Sequence, residues 1–134
     1  MAESFQAFMK RREAAARAYT KGDVKPVSEL TSRHEPVTFF GPDGGSTKGS
    51  AAVRKSFDVG AAQFLPGSDG ELEILDAAGD DSVGYWTGIQ HARVKMKGKD
   101  GIIPMDLRIT ETFRREDGEW KLAHRHADML KSHG

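Results

Sequence analysis

The sequence predicts an α+β domain: three helices in the N-terminal half and a strongly bent antiparallel sheet, in the order α-α-β-α-β-β-β-β. Three observations carry this. Apolar residues recur at helical spacing through most of the chain up to Pro66-Gly67. From residue 70 onward the period changes to alternation. The last four strands are separated only by short turns, and short hairpins join only antiparallel neighbours.

In the first helix, Phe5, Phe8, Met9, Ala16 and Tyr19 fall on one face, and Gly22 stops it. Asp23 opens a short second helix with Pro26 in its first turn and Val27 and Leu30 on its apolar side. Residues 35–41, EPVTFFG, read as a strand, and Gly41 to Gly45 as a turn. Ser50 is the expected N-cap of a third helix whose buried face carries Val53, Phe57, Ala61 and Phe64. ELEILDA is the next strand, and Asp80-Asp81 turns the chain into a long one over about 82–97. Lys97 to Gly101 leads into a strand over about 102–115, and Asp117-Gly118 makes a tight hairpin. The last strand runs from near Trp120 to near Ala127, and 131–134 reads as a frayed tail.

The 134 residues form one domain, 1–134, long enough to bury a core without staples. Lys+Arg and Asp+Glu are both 20, a balance that argues against nucleic acid as a partner, since phosphate binding needs uncompensated basic surface. No stretch has the length and apolarity of a membrane span, and the N-terminus does not read as a secretory signal. The absence of cysteine removes disulfides, thiolate metal sites and cysteine nucleophiles, and fits a cytoplasmic location. GPDGG lacks the pattern of a phosphate loop and reads as a turn; Lys10-Arg11-Arg12 and Arg114 to Asp117 read as solvated faces.

Three segments, FFGPDGGSTKGSAAVRKSF at 39–57, RITETFRREDGEWKL at 108–122 and HRHAD at 124–128, resemble the SnoaL-like branch of the nuclear transport factor 2-like superfamily. With the element order, the resemblance covers nearly the whole chain. It implies a cone-shaped fold enclosing one pocket for a small, mostly apolar molecule. That superfamily hosts isomerases, dehydratases, cyclases and non-catalytic assembly domains.

The strand from 105 to 114 alternates cleanly. Met105, Leu107, Ile109, Glu111 and Phe113 share the face expected to point inward. A lone carboxylate on an apolar stripe must be paired, hydrogen-bonded or protonated. Glu111 is therefore either the functional centre of the pocket, with His124 or His126 as partner, or a structural ion-pair partner. Trp120, Leu122, His124 and His126 share a face by strict alternation, about 6.6 Å apart for next-but-one residues, so both imidazoles are expected inward. In the 82–97 strand both faces are partly apolar, so alternation leaves the inward face open, and the resemblance implies Tyr85 and His91 inward. A bulge at Gly84 or Gly88 would bring in Trp86 and Gln90 instead.

The expected pocket residues are thus Tyr19, Tyr85, Trp86, His91, Ile109 and Phe113, with Glu111, His124 and His126 as catalytic candidates. Ketosteroid isomerase chemistry is disfavoured. The resemblance would put its base near Phe39 and Phe40, and its helix-1 tyrosine near Ala15. A dehydratase or cyclase using a Glu–His acid/base pair remains the enzymatic alternative to a binding pocket. H-x-H with Glu111 and His91 is weak spacing for a metal, so no metal or other cofactor is expected. A homodimer is expected through the outer sheet face, on the premise that Trp86, Ala92 and Val94 lie there.

Overall fold

The computed structural model describes residues 3–131; the expected frayed tail lies almost wholly outside them. Helix α1 spans Phe5–Thr20, with the Ser4 hydroxyl accepting from the Ala7 amide at 3.1 Å. Its buried stripe is Phe8, Met9, Arg12, Ala15, Ala16 and Thr20. Arg12, expected in solvent with Lys10 and Arg11, is instead 2 % exposed. It lies four residues after Phe8 and four before Ala16, in the middle of the apolar stripe.

Helix α2 spans Lys25–Leu30 and buries Val27 and Leu30. Strand β1 is only Thr38–Phe40, and the turn after it closes a hairpin with an unanticipated strand, β2, Ser46–Lys48. Helix α3 spans Ser50–Ala61, capped by Gly49 at φ 106°. Ser50 is its first residue, and its hydroxyl donates to the Ser32 carbonyl.

The four long strands are β3 (Asp69–Gly79), β4 (Val83–Val94), β5 (Ile103–Glu116) and β6 (Glu119–Met129). Asp117 and Gly118 both have positive φ, 51° and 81°, as a two-residue hairpin turn requires. The sheet order is β2-β1-β6-β5-β4-β3. All pairings between these strands are antiparallel except β1 with β6, which is parallel. Phe5 and Phe8 of α1 pack their rings on Phe113, and Phe5 also packs edge-on to Trp120, which fixes the helix on the inner side of the curved sheet. Among the described residues, no helix is long and apolar enough to cross a membrane.

Two irregularities decide which side chains face inward. In β6 the pairing shifts between Thr112 and Phe113, leaving Ala123 as an extra residue. Trp120 and Leu122 point inward as predicted, but after the bulge Arg125 and Ala127 are the buried residues. His124 and His126, expected inward, are turned to the outer face. In β3 the shift falls between Ile74 and Asp76, with Leu75 extra and 65 % exposed.

Strand β4 has no shift against β5. Trp86 pairs with Glu111 and Gln90 with Leu107. Directly opposed residues share a face, so the inward set of β5 draws Trp86, Gln90, Ala92 and Val94 inward. Tyr85 and His91, expected inward, are on the outer face. The Tyr85 hydroxyl donates to Asp76, while His91 faces Glu73 and Asp106. The interior position of Trp86, Ala92 and Val94 also removes the premise that these residues form an outer apolar patch.

Candidate functional site

Between the helices and the inner sheet face lies a cavity of about 210 Å³. Its walls are mostly apolar: Tyr19 from α1, Phe39 from β1, Phe57 from α3, Phe64 beyond it, and Met96 and Met105 from either side of the β4–β5 turn. Tyr19 packs edge-on to Phe57 and Phe64, and Phe39 stacks on Phe57. Gly60 makes room for the Tyr19 hydroxyl, since a Cβ there would lie 2.0 Å from the phenol oxygen. Burial, opposed by the charges of Arg125 and Arg12, keeps the Tyr19 pKa above its ordinary value, so Tyr19 is a neutral phenol donor. Of the expected pocket residues, only Tyr19 lines this cavity.

The polar end of the cavity is formed by Arg12, Gln90 and Arg125. Behind them sits Glu111, fully buried. Its Oε1 accepts from Arg12 Nε at 2.7 Å and Trp86 Nε1 at 2.6 Å. Its Oε2 accepts from Arg12 Nη2 at 2.9 Å and Arg125 Nη1 at 2.7 Å. Arg125 Nη2 donates to Gln90 Oε1 at 3.0 Å. Burial alone would raise the Glu111 pKa, but the charges and hydrogen bonds of the two arginines prevail and hold it at about 2. Glu111 is therefore an anion with four donors around it, and the inward stripe predicted from β5 is present as read.

The other candidates lie elsewhere. Ile109 and Phe113 face inward but belong to the solid core, not the cavity wall. Trp86 is completely buried behind Glu111. His124 shares a 2.7 Å hydrogen bond with the Thr38 hydroxyl, and its pKa is lowered by burial and then by His126. His126 lies 3.9 Å from Asp128. Both rings pack edge-on to Phe40 on the outer face. Neither imidazole hydrogen-bonds Glu111, so the Glu–His acid/base pair expected from alternation is not assembled. Among the described residues, no cluster of three or more His, Asp or Glu is arranged to hold a metal.

Sequence reasoning missed Arg12 and Arg125. Arg12 carries the same signal as Glu111, a charged residue on an apolar stripe. Arg125 carries none, because the bulge at Ala123 that turns it inward leaves no mark in the alternation.

A family model for the SnoaL-like domain matches residues 10–131, nearly the whole chain. The chain belongs to the SnoaL-like domain family. No curated protein matches it in sequence. Among solved structures, this SnoaL-like domain is similar to a protein described as a candidate dehydratase of the nuclear transport factor 2-like family from Streptomyces avermitilis. The TM-score is 0.77 at 16 % identity, covering 95 % of this chain and 96 % of that one. It is also similar to a nuclear transport factor 2-like superfamily protein from Salmonella enterica serovar Typhimurium, with TM-score 0.73 at 11 % identity over 94 % and 88 % of the two chains. A third structure, described as a candidate calcium/calmodulin-dependent protein kinase II association domain from Xanthomonas campestris, has TM-score 0.70 at 13 % identity over 96 % and 86 %. At these identities the likeness establishes the cone-shaped fold of the SnoaL-like domain.

Proposed function

We propose that this SnoaL-like domain binds a small, mostly apolar molecule in the cavity between its helices and sheet, without acid/base chemistry by Glu111. The observation that carries this reading is the cavity itself: an aromatic and thioether wall closed at one end by arginines, with Glu111 committed to those arginines and to Trp86. A volume of about 210 Å³ is below the usual range for drug-sized ligands, which favours a single-ring or short-chain molecule. Glu111 and the outer-face histidines do not give the dehydratase or cyclase alternative its proton acceptor.

The test uses indole as a neutral apolar probe and methyl-labelled methionine as reporter. Met96 and Met105 line the cavity, whereas Met129 is 45 % exposed and outside it. Indole is expected to shift the Met96 and Met105 methyl signals and leave Met129 in place. A double His124→Ala/His126→Ala variant is expected to bind indole as the parent does. No shift at Met96 and Met105 with indole or with any of the single-ring probes below would contradict a ligand pocket, and loss of binding in the histidine variant would return the imidazoles to the site.

The proposed homodimer through the outer sheet face rests on Phe40, Leu75, Val83 and Tyr85, each at least 37 % exposed. Sedimentation at micromolar concentration should give twice 14.7 kDa; a strict monomer would contradict it.

A further inference from the structure

The polar end of the cavity has an unbalanced charge. Two guanidinium groups, Arg12 and Arg125, meet one carboxylate, Glu111. No aspartate or glutamate is among the residues that line the cavity. The three side chains therefore sum to one positive charge, held away from water: the exposures of the Arg12, Arg125 and Glu111 side chains are 3 %, 7 % and 0 %. A buried charge without a counter-charge is costly, so the site favours an occupant that supplies one.

The hydrogen bonds point the same way. Arg12 gives Nε and Nη2 to Glu111, and its Nη1 is buried without a partner. Buried guanidinium nitrogens ordinarily have acceptors. Glu111 fixes the orientation of both arginines, so this donor is set in place before any ligand arrives. The Tyr19 hydroxyl, a further donor on the wall beside Phe57 and Phe64, makes no hydrogen bond among the described residues. A free guanidinium donor and one net positive charge at one end, with an apolar wall at the other, match an amphiphilic anion.

We propose that the ligand of this cavity is a small monoanion, a carboxylate on an aromatic or short aliphatic body, with its charged group against Arg12 and Arg125 and its body against Phe39, Phe57 and Phe64. This rests on the binding-pocket reading above and names the chemical class of its ligand. Glu111 acts here as a positioning residue: it leaves one arginine charge over and keeps the guanidinium groups from turning away.

The experiment compares phenylacetate, its neutral isostere phenylacetamide and the cation 2-phenylethylammonium, with the Met96 and Met105 methyl signals as readout. Phenylacetate is expected to bind about tenfold or more tightly than phenylacetamide, because a charge-assisted hydrogen bond is roughly twice as strong as a neutral one. The cation is expected to be weakest. Arg12→Met leaves Glu111 and Arg125 as a neutral pair and removes a donor from the site, so it should weaken both probes and abolish the preference for phenylacetate over phenylacetamide. If that variant does not fold, added salt provides a second arm. Screening reaches a buried charge weakly, so the preference should persist in high salt, whereas attraction to surface charge would fade. Equal affinity for phenylacetate and phenylacetamide, with Met96 and Met105 both shifted, would overturn the anion proposal and leave the pocket reading intact. Absence of any shift with all three probes and with indole would overturn the pocket reading itself.

Discussion

Glu111→Leu is expected to destabilise the protein by about 3–5 kcal/mol, because it leaves Arg12 and Arg125 buried without their counter-charge. The two arginines are almost wholly buried and converge on the same carboxylate. Glu111→Gln keeps the shape and one acceptor oxygen but sets an amide donor against donors of Arg12 and of either Trp86 or Arg125, so it should fall between the parent and Glu111→Leu. The sign of the effect separates two roles. A carboxylate kept in an apolar pocket for catalysis costs stability, and leucine would relieve that cost; a carboxylate that neutralises buried cations supports the fold, and leucine would remove that support. Replacing the whole cluster, Arg12→Met/Glu111→Leu/Arg125→Met, should recover much of the loss, since a well-packed apolar substitute for a buried ion cluster is often neutral or better. Urea denaturation of the parent and the three variants measures this. A Glu111→Leu protein at least as stable as the parent would refute the ion-cluster role.

The second large effect is expected at Gly88. A Cβ at this position would lie 2.0 Å from the Glu73 carbonyl oxygen and 3.1 Å from the Leu75 backbone nitrogen. Both contacts are main chain, so no side-chain rotation relieves them. They arise because the bulge at Leu75 bends β3 onto β4 where Gly88 pairs with Ile74. Ordinarily glycine weakens a strand and alanine is the better residue. Here Gly88→Ala should cost about 3 kcal/mol, at the upper end of overpacking effects, because two strands must move apart. A variant of parental stability would mean that this close approach is absent in solution.

The fold was legible because each long element carries its own period. The α1 stripe, the clean alternation of β5 and the Asp117-Gly118 turn are local signals, and local chemistry suffices to form them. The hairpin strand β2 was not legible, since Ser46–Lys48 is three polar residues whose only strand credential is pairing with β1. The inward position of Glu111 was read directly from its apolar neighbours. Its partners were not. Arg12 was hidden in a run of three basic residues, where charge patterning suggests solvent, although its helical position says otherwise. The two histidines around Arg125 were placed inward by an alternation that the extra residue Ala123 interrupts. Strict alternation across the Ala123 bulge inverts every side chain after it. In β4 both faces are partly apolar, so its own sequence leaves the face open, and only pairing with Glu111 and Leu107 settles it.

Glu111 is a permanent anion held by Arg12 and Arg125, and its own titration reads that state. Its pKa in the folded protein is about 2, below the ordinary 4.5. A lowered folded-state pKa gives stability that is present above the unfolded value and lost as pH falls toward the folded one. The carboxylate should therefore contribute about 3 kcal/mol at neutral pH, lost between about 4.5 and about 2. The decisive measurement is the side-chain carboxyl carbon shift of Glu111, followed by NMR from neutral pH down to the onset of acid unfolding. The signal is expected to stay flat at the ionised position throughout the folded range. A titration of Glu111 near neutral pH, as a proton-donating acid in an apolar pocket would show, would contradict it.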